Sequence, residues 1–249
     1  MKNILLCTLI ALCLQALMIP VAAQAQAPAA PPKIYTGSFG AGLAVTGGNT
    51  DTVNFNLTFD LIRDPKTKNV IKANALYLRS NANHETTADR LTLGFRDDYS
   101  LTKKAFVYGA VAYIRDPFRD ISYLINPQAG LGYKLYATDK HTLTVNGGAG
   151  GVWEKDTGLD VQSSGTLNAG QSYAFKLSET TALTQTLTGL WKTSDFSDAL
   201  YHAGVALVTS LAKRAQLKVE FLDDYRSVTP RPTIKKNDTA FIVSFLFKF

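Results

Sequence analysis

The chain has 249 residues and a formal net charge of +6, with 46% hydrophobic and 18% charged residues. No Lys/Arg run or basic stripe interleaved with aromatic residues accompanies this modest charge, which argues against nucleic acid as a partner. Beyond residue 25 there is no run of 18 apolar residues, so transmembrane helices are excluded there.

The first 25 residues have the pattern of a secretory signal peptide. Lys2 provides a positive start, residues 4–19 provide an apolar segment, and A-x-A cleavage sites end at Ala25 and Ala27. Residues 26–34 are rich in Pro and Ala and read as a flexible spacer. We therefore predict cleavage after Ala25 or Ala27 and export of the rest of the chain.

The mature chain lacks cysteine. Cys7 and Cys13 both lie in the segment that we predict to be removed. The remaining residues, about 220, therefore contain no disulfide, thiolate metal site or cysteine nucleophile. We predict that the fold closes without covalent cross-links and without a cofactor.

Hydrophobic and polar residues alternate throughout residues 35–249. The clearest apolar stripe consists of Val53, Phe55, Leu57, Phe59 and Leu61. The residues between them are Asn54, Asn56, Thr58 and Asp60. A period of two predicts strands with an apolar face toward lipid and a polar face toward a lumen. The same pattern predicts a lipid-facing stripe made of Phe106, Tyr108, Ala110, Ala112 and Ile114.

Turn signals divide this region into about twelve strands. We expect them near residues 35–46, 51–63, 69–80, 89–100, 105–115, 120–136, 141–154, 160–175, 180–193, 199–211, 215–226 and 238–249. Ten strands are the alternative, if two of these segments are loops. An even number of strands places the start of the first strand and the end of the last strand on the same side of the membrane, as in single-chain bacterial barrels. The predicted fold class is all-β, with one antiparallel transmembrane barrel over residues 35–249.

The connections between the predicted strands fall into two groups. Those on the side of the two ends are short, such as residues 64–68 and 138–140. Those on the other side are longer, notably 81–88 and 227–237, although residues 47–50 read as a tight turn. Short periplasmic turns and longer outer loops are typical of outer-membrane barrels.

The last strand carries the most specific pattern. Its alternate residues are apolar and project from one face: Phe241, Val243, Phe245, Phe247 and Phe249. In water this edge would template aggregation, whereas in a bilayer it suits a strand of a closed barrel. The pattern resembles the closing strand of bacterial outer-membrane barrels, and we interpret these five residues as a membrane-insertion signature.

Charged residues on strands constrain which side chains can face lipid. A charge on the lipid face at mid-bilayer costs about 2–4 kcal/mol. We therefore expect the strand cations to point into the lumen or to lie at strand ends: Arg63, Lys72, Arg79, Arg96 and Arg115. Aromatic residues near strand ends predict interfacial girdles: Tyr77, Tyr99, Tyr113, Trp153, Tyr173, Trp191 and Tyr225.

Candidates for catalysis and metal binding are sparse. His84 in an outer loop, with Glu85 and Asp89 nearby, is the best grouping for a hydrolase, while His141 falls at a periplasmic turn and His202 on the lumen face. Carboxylates that we expect in outer loops could hold a divalent cation: Asp116, Asp120, Glu154, Asp156, Asp160, Asp195 and Asp198. No calcium-loop motif occurs, so we predict neither a catalytic nor a metal site.

Four passages resemble a known family. They are residues 45–52, 85–90, 118–133 and 235–239, and the motif residues within the first three are Gly48, Asn49, Thr50, Thr87, Asp89, Arg90, Phe118 and Arg119. Their order and spacing resemble the domain-of-unknown-function 481 family, which includes a salt-induced outer-membrane protein. The resemblance covers nearly the whole mature chain. It implies a Gram-negative outer-membrane barrel, and it implies no activity and no catalytic residues.

The sequence therefore predicts a non-enzymatic barrel of the cell outer membrane. It would be a narrow pore or an envelope-integrity protein, and the family resemblance suggests a link to salt or osmotic conditions. Expected partners are outer-membrane lipid and lipopolysaccharide, with periplasmic chaperones and the barrel-assembly machinery during biogenesis. The alternative function is a lipid or lipopolysaccharide hydrolase that uses His84 and loop carboxylates.

Overall fold

The computed structural model describes residues 34–49, 52–82 and 85–249. The predicted signal peptide, nearly all of the spacer, Thr50 and His84 lie outside the described residues. Among the described residues, none belongs to a helix with the length and apolar character needed to cross a membrane.

Twelve antiparallel strands form one closed barrel. In chain order they are β1 (Tyr35–Gly47), β2 (Thr52–Arg63), β3 (Asn69–Ala82), β4 (Glu85–Ser100), β5 (Ala105–Asp116), β6 (Ile121–Ala137), β7 (His141–Asp156), β8 (Gln162–Lys176), β9 (Thr181–Lys192), β10 (Ala199–Ser210), β11 (Ala215–Arg226) and β12 (Asn237–Lys248). The predicted fold class and the count of twelve are confirmed, and the ten-strand alternative is wrong.

Pairing of the first and last strands closes the sheet. The β1–β12 ladder runs from Ser38 opposite Lys248 to Gly47 opposite Thr239, and every other strand pairs with its neighbours in sequence. Closure leaves no strand edge with unpaired amide and carbonyl groups, which hydrocarbon cannot hydrogen-bond. We call the end that carries Tyr35 and Lys248 the periplasmic end, and the opposite end the outer end.

Six connections cross the outer end, and we number them L1–L6. They span residues 48–51, 83–84, 117–120, 157–161, 193–198 and 227–236. L6 is the longest, whereas the expected loop 81–88 is mostly strand, because Ala82 pairs with Glu85 after a register shift at Ser80. In L1, Gly48 has a φ of +120°, and a Cβ there would lie 2.5 Å from the Asn237 carbonyl oxygen. Only glycine fits this turn without strain.

Side chains alternate between the lumen and the outer wall, as the second strand illustrates. Asn54, Asn56 and Thr58 are buried inside, while Val53 and Phe55 are exposed outside. The terminal strand follows the same rule, because Ile242, Ser244 and Leu246 are buried. Its outward positions are four residues of the five-residue pattern, Phe241, Val243, Phe245 and Phe247, and the fifth, Phe249, follows the last residue of the strand.

The predicted orientation of β5 is wrong. Phe106 and Tyr108 point into the lumen and are only 5% and 3% exposed. Both faces of β5 carry apolar residues, so alternation alone leaves its orientation ambiguous. The register with β4 decides it, because the outward Phe95 pairs with Val111. The ring of Phe106 then fills the space above Gly132, where a Cβ would lie 2.1 Å from it.

Candidate functional site

The lumen contains both polar and apolar layers. Hydrogen bonds link inward polar side chains across strands. Ser244 Oγ donates to Asn56 Oδ1 at 2.8 Å, and Asn126 Nδ2 donates to the Gly151 carbonyl oxygen at 2.8 Å. These bonds follow directly from the alternation, which puts amides and hydroxyls on the inner face. Each satisfies a polar group that is otherwise buried from water.

Two apolar clusters fill part of the outer half of the lumen. The first consists of Ala44, Leu78, Leu222, Ala240 and Ile242, with Leu76 against it. The second consists of Ile121, Leu124 and Val152, with Ile114 and Leu200 against it. The expectation of a purely polar lumen is therefore wrong. These residues pack against one another inside the barrel, which narrows the space left for water or solute.

Five ionisable side chains form a network near the outer end, which we call the mouth lattice: Glu154, Asp156, Lys192, Asp198 and Arg226. The Lys192 ammonium contacts Glu154 and lies 2.7 Å from Asp198 Oδ2. Arg226 donates to both oxygens of Asp156, at 3.0 and 3.1 Å. Such a two-pronged contact fixes the orientation of both groups. The lattice joins β7, β9, β11 and L5 across the lumen.

A second polar cluster brings the family-like passages together; we call it the motif cluster, and it comprises Asn49, Arg90, Arg119, Asp224 and Asp238. Arg90 Nη2 lies 2.7 Å from Asp224 Oδ2, and Arg119 Nε lies 2.8 Å from Asp238 Oδ2. The Asn49 backbone amide donates to Asp238 Oδ1 at 2.6 Å. Passages up to 189 residues apart in sequence thus share one set of contacts.

The motif cluster surrounds a cavity of about 40 Å³, lined in part by Phe118, Asp116 and Arg119. This volume accommodates a few water molecules. His202 adjoins the cluster, with Nδ1 2.8 Å from Asp224 Oδ1. The arrangement is suited to holding charges and water at the mouth.

Contacts among the outer loops cover the motif cluster at the outer end of the barrel. Arg231 in L6 donates to both oxygens of Asp120 in L3, at 2.8 and 2.9 Å. The Asn49 side chain accepts from the Lys235 amide at 2.6 Å and donates to the Lys235 carbonyl at 2.8 Å. L1, L3 and L6 are therefore linked to one another over the outer mouth.

The periplasmic half of the lumen is polar and more open. Lys72 and Arg96 both contact Asp98, at 2.7 and 2.6 Å, and the Arg96 guanidinium lies 3.9 Å from the ring centre of Tyr108. On the opposite wall, the inward side chains Thr184 and Thr188 of β9 remain exposed. This accessible wall ends at Lys192 on the same strand, which is 4% exposed.

The strand cations lie where we expected. Lys72 and Arg96 point into the lumen. Arg63 is the last residue of β2, and the outward Arg79 and Arg115 lie near the outer ends of β3 and β5. The motif residue Asp89 also faces outward, where Arg115 Nη1 donates to it at 2.9 Å. Thr87 lies on β4, and Thr50 is outside the described residues.

The expected loop carboxylates are not arranged as metal ligands. Asp116, Glu154 and Asp156 lie on strands rather than in loops. Glu154, Asp156 and Asp198 are engaged by Lys192 and Arg226, and Asp120 by Arg231. Across the described ranges, no group of three His, Asp or Glu residues could hold a metal ion. In L5, hydrogen bonds from Ser197 hold the pKa of the exposed Asp195 below its ordinary value.

His202 and His141, the two histidines among the described residues, lie in different parts of the barrel. His202 faces the lumen, as expected. His141 begins β7 at the periplasmic end, where it stacks on Phe175 with a ring separation of 4.5 Å and contacts the Tyr173 hydroxyl at 2.8 Å. His84, the histidine of the alternative hydrolase hypothesis, lies outside the described residues. The sequence patterns could have suggested the mouth lattice only by the positions of Glu154, Lys192 and Arg226 at outer strand ends.

Comparisons with known proteins support this fold. The NanC porin has 9% identity to this chain over 85% of this chain and all of the porin, with a TM-score of 0.58. The translocator domain of autotransporter NalP from Neisseria meningitidis has 11% identity, 100% and 98% coverage, and a TM-score of 0.52. An outer-membrane channel from Pseudomonas putida F1 has 14% identity, 90% and 100% coverage, and a TM-score of 0.50.

At these identities the similarity establishes an outer-membrane barrel fold and nothing finer. The comparison with curated proteins found no match. A family model described as "Protein of unknown function, DUF481" matches residues 39–249. This confirms the resemblance that the four passages carry, and the chain belongs to that family.

Proposed function

We propose that this protein is a non-enzymatic outer-membrane barrel that forms a narrow pore, held closed at its outer mouth by the mouth lattice. The observation that carries the proposal is the inner face of β9. Thr184 and Thr188 on this face are accessible, Leu190 follows them, and the strand ends at Lys192, which Glu154 and Asp198 hold across the lumen. A solute that enters from the periplasmic end would therefore meet the lattice near the outer mouth.

The size of the barrel is consistent with this role. Eight-stranded barrels are filled by side chains, and barrels of 16–18 strands leave an aqueous channel. Twelve strands lie between these cases. Two proteins with the same fold are known as a porin and as an outer-membrane channel, which supports conduction as the function to test first.

We further propose that ionic strength controls the closure. Opening the lattice separates charges such as Arg226 and Asp156, and it exposes them to the solution. The Debye length falls from about 10 Å at 0.1 M salt to about 3 Å at 1 M, so salt lowers the free energy of the separated charges. The open state is then favoured at high salt, which would account for a link to salt conditions.

Planar-bilayer recording on refolded protein tests both parts. We expect small conductance steps in the wild type, with an open probability that rises between 0.1 and 1 M salt. Arg226→Ala removes the partner of Asp156 and should open the pore already at low salt. Arg115→Ala is the matched control, because it breaks an ion pair on the outside of the barrel. Absence of steps in both the wild type and Arg226→Ala would disprove the pore.

Hydrolase activity is tested separately. Refolded wild type and His84→Ala are incubated with phospholipid and with lipopolysaccharide, and the products are followed by mass spectrometry. We expect no turnover by either protein. Hydrolysis by the wild type that disappears in His84→Ala would establish the enzymatic alternative.

A further inference from the structure

The outer wall has a recess on its lipid-facing side, between β8 and β11. Its volume is about 420 Å³. Small outward residues form its floor: Ala169, Gly189 and Ala203. Larger residues form its walls: Gln171, Leu187, Trp191, Tyr201, Asp223 and Tyr225. The recess lies outside the lumen and is separate from the mouth lattice.

Three aromatic side chains border the recess on its outer side, and we call Trp191, Tyr201 and Tyr225 the aromatic trio. The Trp191 indole N–H donates to the Tyr201 hydroxyl at 3.0 Å, and their rings meet edge to face with centres 5.8 Å apart. The Tyr201 and Tyr225 ring centres are 6.1 Å apart. All three belong to strand ends near the outer mouth, the depth at which Trp and Tyr meet lipid headgroups.

Gly189 makes room for the trio. A Cβ at this position would lie 2.5 Å from the Trp191 ring, so the indole packs directly over the glycine. Any larger residue would push the indole away from Tyr201. Gly189 therefore forms part of the recess floor and also sets the position of the Trp191 indole at the border.

Asp223 gives the recess a polar group that lacks a partner. It pairs with Ala203 and Thr239 in the sheet and so points outward, on the same face as Phe221 and Tyr225. Its Oδ1 atom is buried without a hydrogen bond, and within the described part of the chain no side chain forms an ion pair with this carboxyl group. An oxygen removed from water without a donor is destabilising by about 1–3 kcal/mol. Within the described residues no side chain donates to the other oxygen, Oδ2, either; it is not buried and can accept from a donor outside the chain.

We propose that the recess binds a sugar-headed lipid of the outer leaflet. The apolar face of an acylated amino sugar would stack on the aromatic trio, and its hydroxyl or amide N–H group would donate to Asp223. An acyl chain would follow the floor past Ala203 and Leu187. A phospholipid has no sugar face to stack on the trio, so the sugar is the preferred head. This site is independent of conduction through the lumen.

Trp191 provides a direct reporter of binding. The chain has two tryptophans, Trp153 and Trp191, so a Trp153→Phe background leaves only the one that borders the recess. Monophosphoryl lipid A, which carries an acylated glucosamine disaccharide, is titrated into refolded protein in a zwitterionic detergent. We expect a saturable change in Trp191 emission. The change should require at least tenfold more lipid in Asp223→Asn, and it should be absent in Gly189→Leu.

Asp97→Asn is the matched control. Asp97 also faces outward, on β4 near the periplasmic end, but its Oδ2 already accepts from Asn69 at 3.3 Å. Binding by this variant should equal that of the background protein. Heat-modifiable gel mobility verifies folding of each variant, and Ala203→Leu replaces Gly189→Leu if the latter does not fold.

Four results would overturn the proposal. The first is the absence of saturation with lipid A, and the second is unchanged binding by Asp223→Asn. The third is an equal response to phosphatidylglycerol or phosphatidylethanolamine, which would indicate a groove for acyl chains without preference for sugar. An emission change that depends on protein concentration and not on lipid would assign the recess to self-association, and it would also overturn the sugar-lipid site.

Discussion

Two arginines show how the environment sets the value of an ion pair. Arg226 and its partner Asp156 are buried in the lumen, and Glu154 lies 3.7 Å from the same guanidinium. Arg115 pairs with Asp89 on the outer wall and keeps about two fifths of its side chain exposed. Loss of the first leaves a carboxylate buried without a counter-charge. Loss of the second leaves a carboxylate beside water and lipid headgroups.

We therefore predict different stabilities for two matched variants. Arg226→Ala should lower the free energy of unfolding by about 3–5 kcal/mol, because the buried Asp156 loses its partner. Arg115→Ala should lower it by less than about 1 kcal/mol, since exposed pairs contribute little. Urea unfolding in lipid vesicles, followed by tryptophan fluorescence, measures both. Equal losses of unfolding free energy would show that Arg226 and Asp156 are as well solvated as the exposed pair.

A double variant separates charge from packing. Replacing both partners, as in Arg226→Leu with Asp156→Leu, removes the buried charges together. The double variant should recover most of the stability that Arg226→Ala loses, because apolar pairs of similar volume often replace buried ion pairs without cost. If it is less stable than the single variant, the lattice contributes through its geometry rather than through compensation of charge.

At the scale of elements, the twelve residues of β12 face two environments, the lumen on one side and the outer wall on the other. Its inward residues Ile242, Ser244 and Leu246 are buried, while Phe241 and Phe245 are exposed on the wall. Val243 is outward and close to the middle of the strand. The depth of a residue along β12 should therefore decide what a charge costs there.

We predict that Val243→Arg destabilises the barrel by about 2–4 kcal/mol, whereas Phe247→Arg costs about 0–1 kcal/mol beyond the loss of the ring. The first places a guanidinium at mid-bilayer, and the second places it near the periplasmic interface beside Arg214. Folding into vesicles of defined thickness, with urea titration, compares the two. A larger loss for Phe247→Arg would contradict the placement of β12 across the bilayer.

L6 depends on contacts from L1 and L3. The Asn49 side chain holds both backbone groups of Lys235, and Arg231 binds Asp120 and the Thr157 carbonyl, the latter at 2.5 Å. Lys235 and Lys236 are exposed and form a trypsin site at the end of this loop.

We predict that Asn49→Ala and Arg231→Ala each accelerate tryptic cleavage at Lys235 or Lys236 several-fold in reconstituted vesicles, because a protease needs an extended, locally mobile segment. Mass spectrometry of the fragments identifies the site. Arg79→Ala, on the outer wall of β3, is the control and should leave the cleavage rate unchanged. Unchanged cleavage in both loop variants would mean that the loop is held by other contacts.

Strands were predictable because alternation is a local property. The stripe from Val53 to Leu61 identified both the strand and its faces, and turn residues located most boundaries within a few residues. β5 was assigned to the wrong face because apolar residues occupy both of its faces, and only its register with β4 distinguishes them. Residues 81, 82 and 85–88 are mostly polar but belong to β3 and β4, which local polarity does not reveal.

The lumen was not predictable in the same way. Leu78, Ile121 and Ile242 face inward among polar residues, and their packing depends on strands that are distant in sequence. The mouth lattice joins β7, β9 and β11, so no spacing along the chain indicates it. The motif passages meet through Asn49, Arg119 and Asp238, but their contacts come from closure of the barrel, so the order of the passages along the chain did not indicate them.

At the scale of the whole molecule, the closed sheet of twelve strands fixes the side on which each connection lies. β1 begins and β12 ends at the same end of the barrel, and L1–L6 all lie at the other. Phe196 in L5 is exposed at the outer end, and Lys103, between β4 and β5, is exposed at the periplasmic end. If the barrel has the orientation of outer-membrane proteins, Phe196 faces the cell exterior and Lys103 faces the periplasm.

Single cysteines can test this orientation, because Cys7 and Cys13 both lie in the predicted signal peptide. We predict that Phe196→Cys reacts with a membrane-impermeant maleimide on intact cells, whereas Lys103→Cys reacts only after the outer membrane is permeabilised. Because both positions are exposed, a difference in labelling reports the side of the membrane rather than burial. Labelling of Lys103→Cys but not of Phe196→Cys on intact cells would show that the barrel has the opposite orientation. The mouth lattice and the aromatic trio would then lie at the periplasmic side. Equal labelling in intact cells would contradict insertion in the membrane.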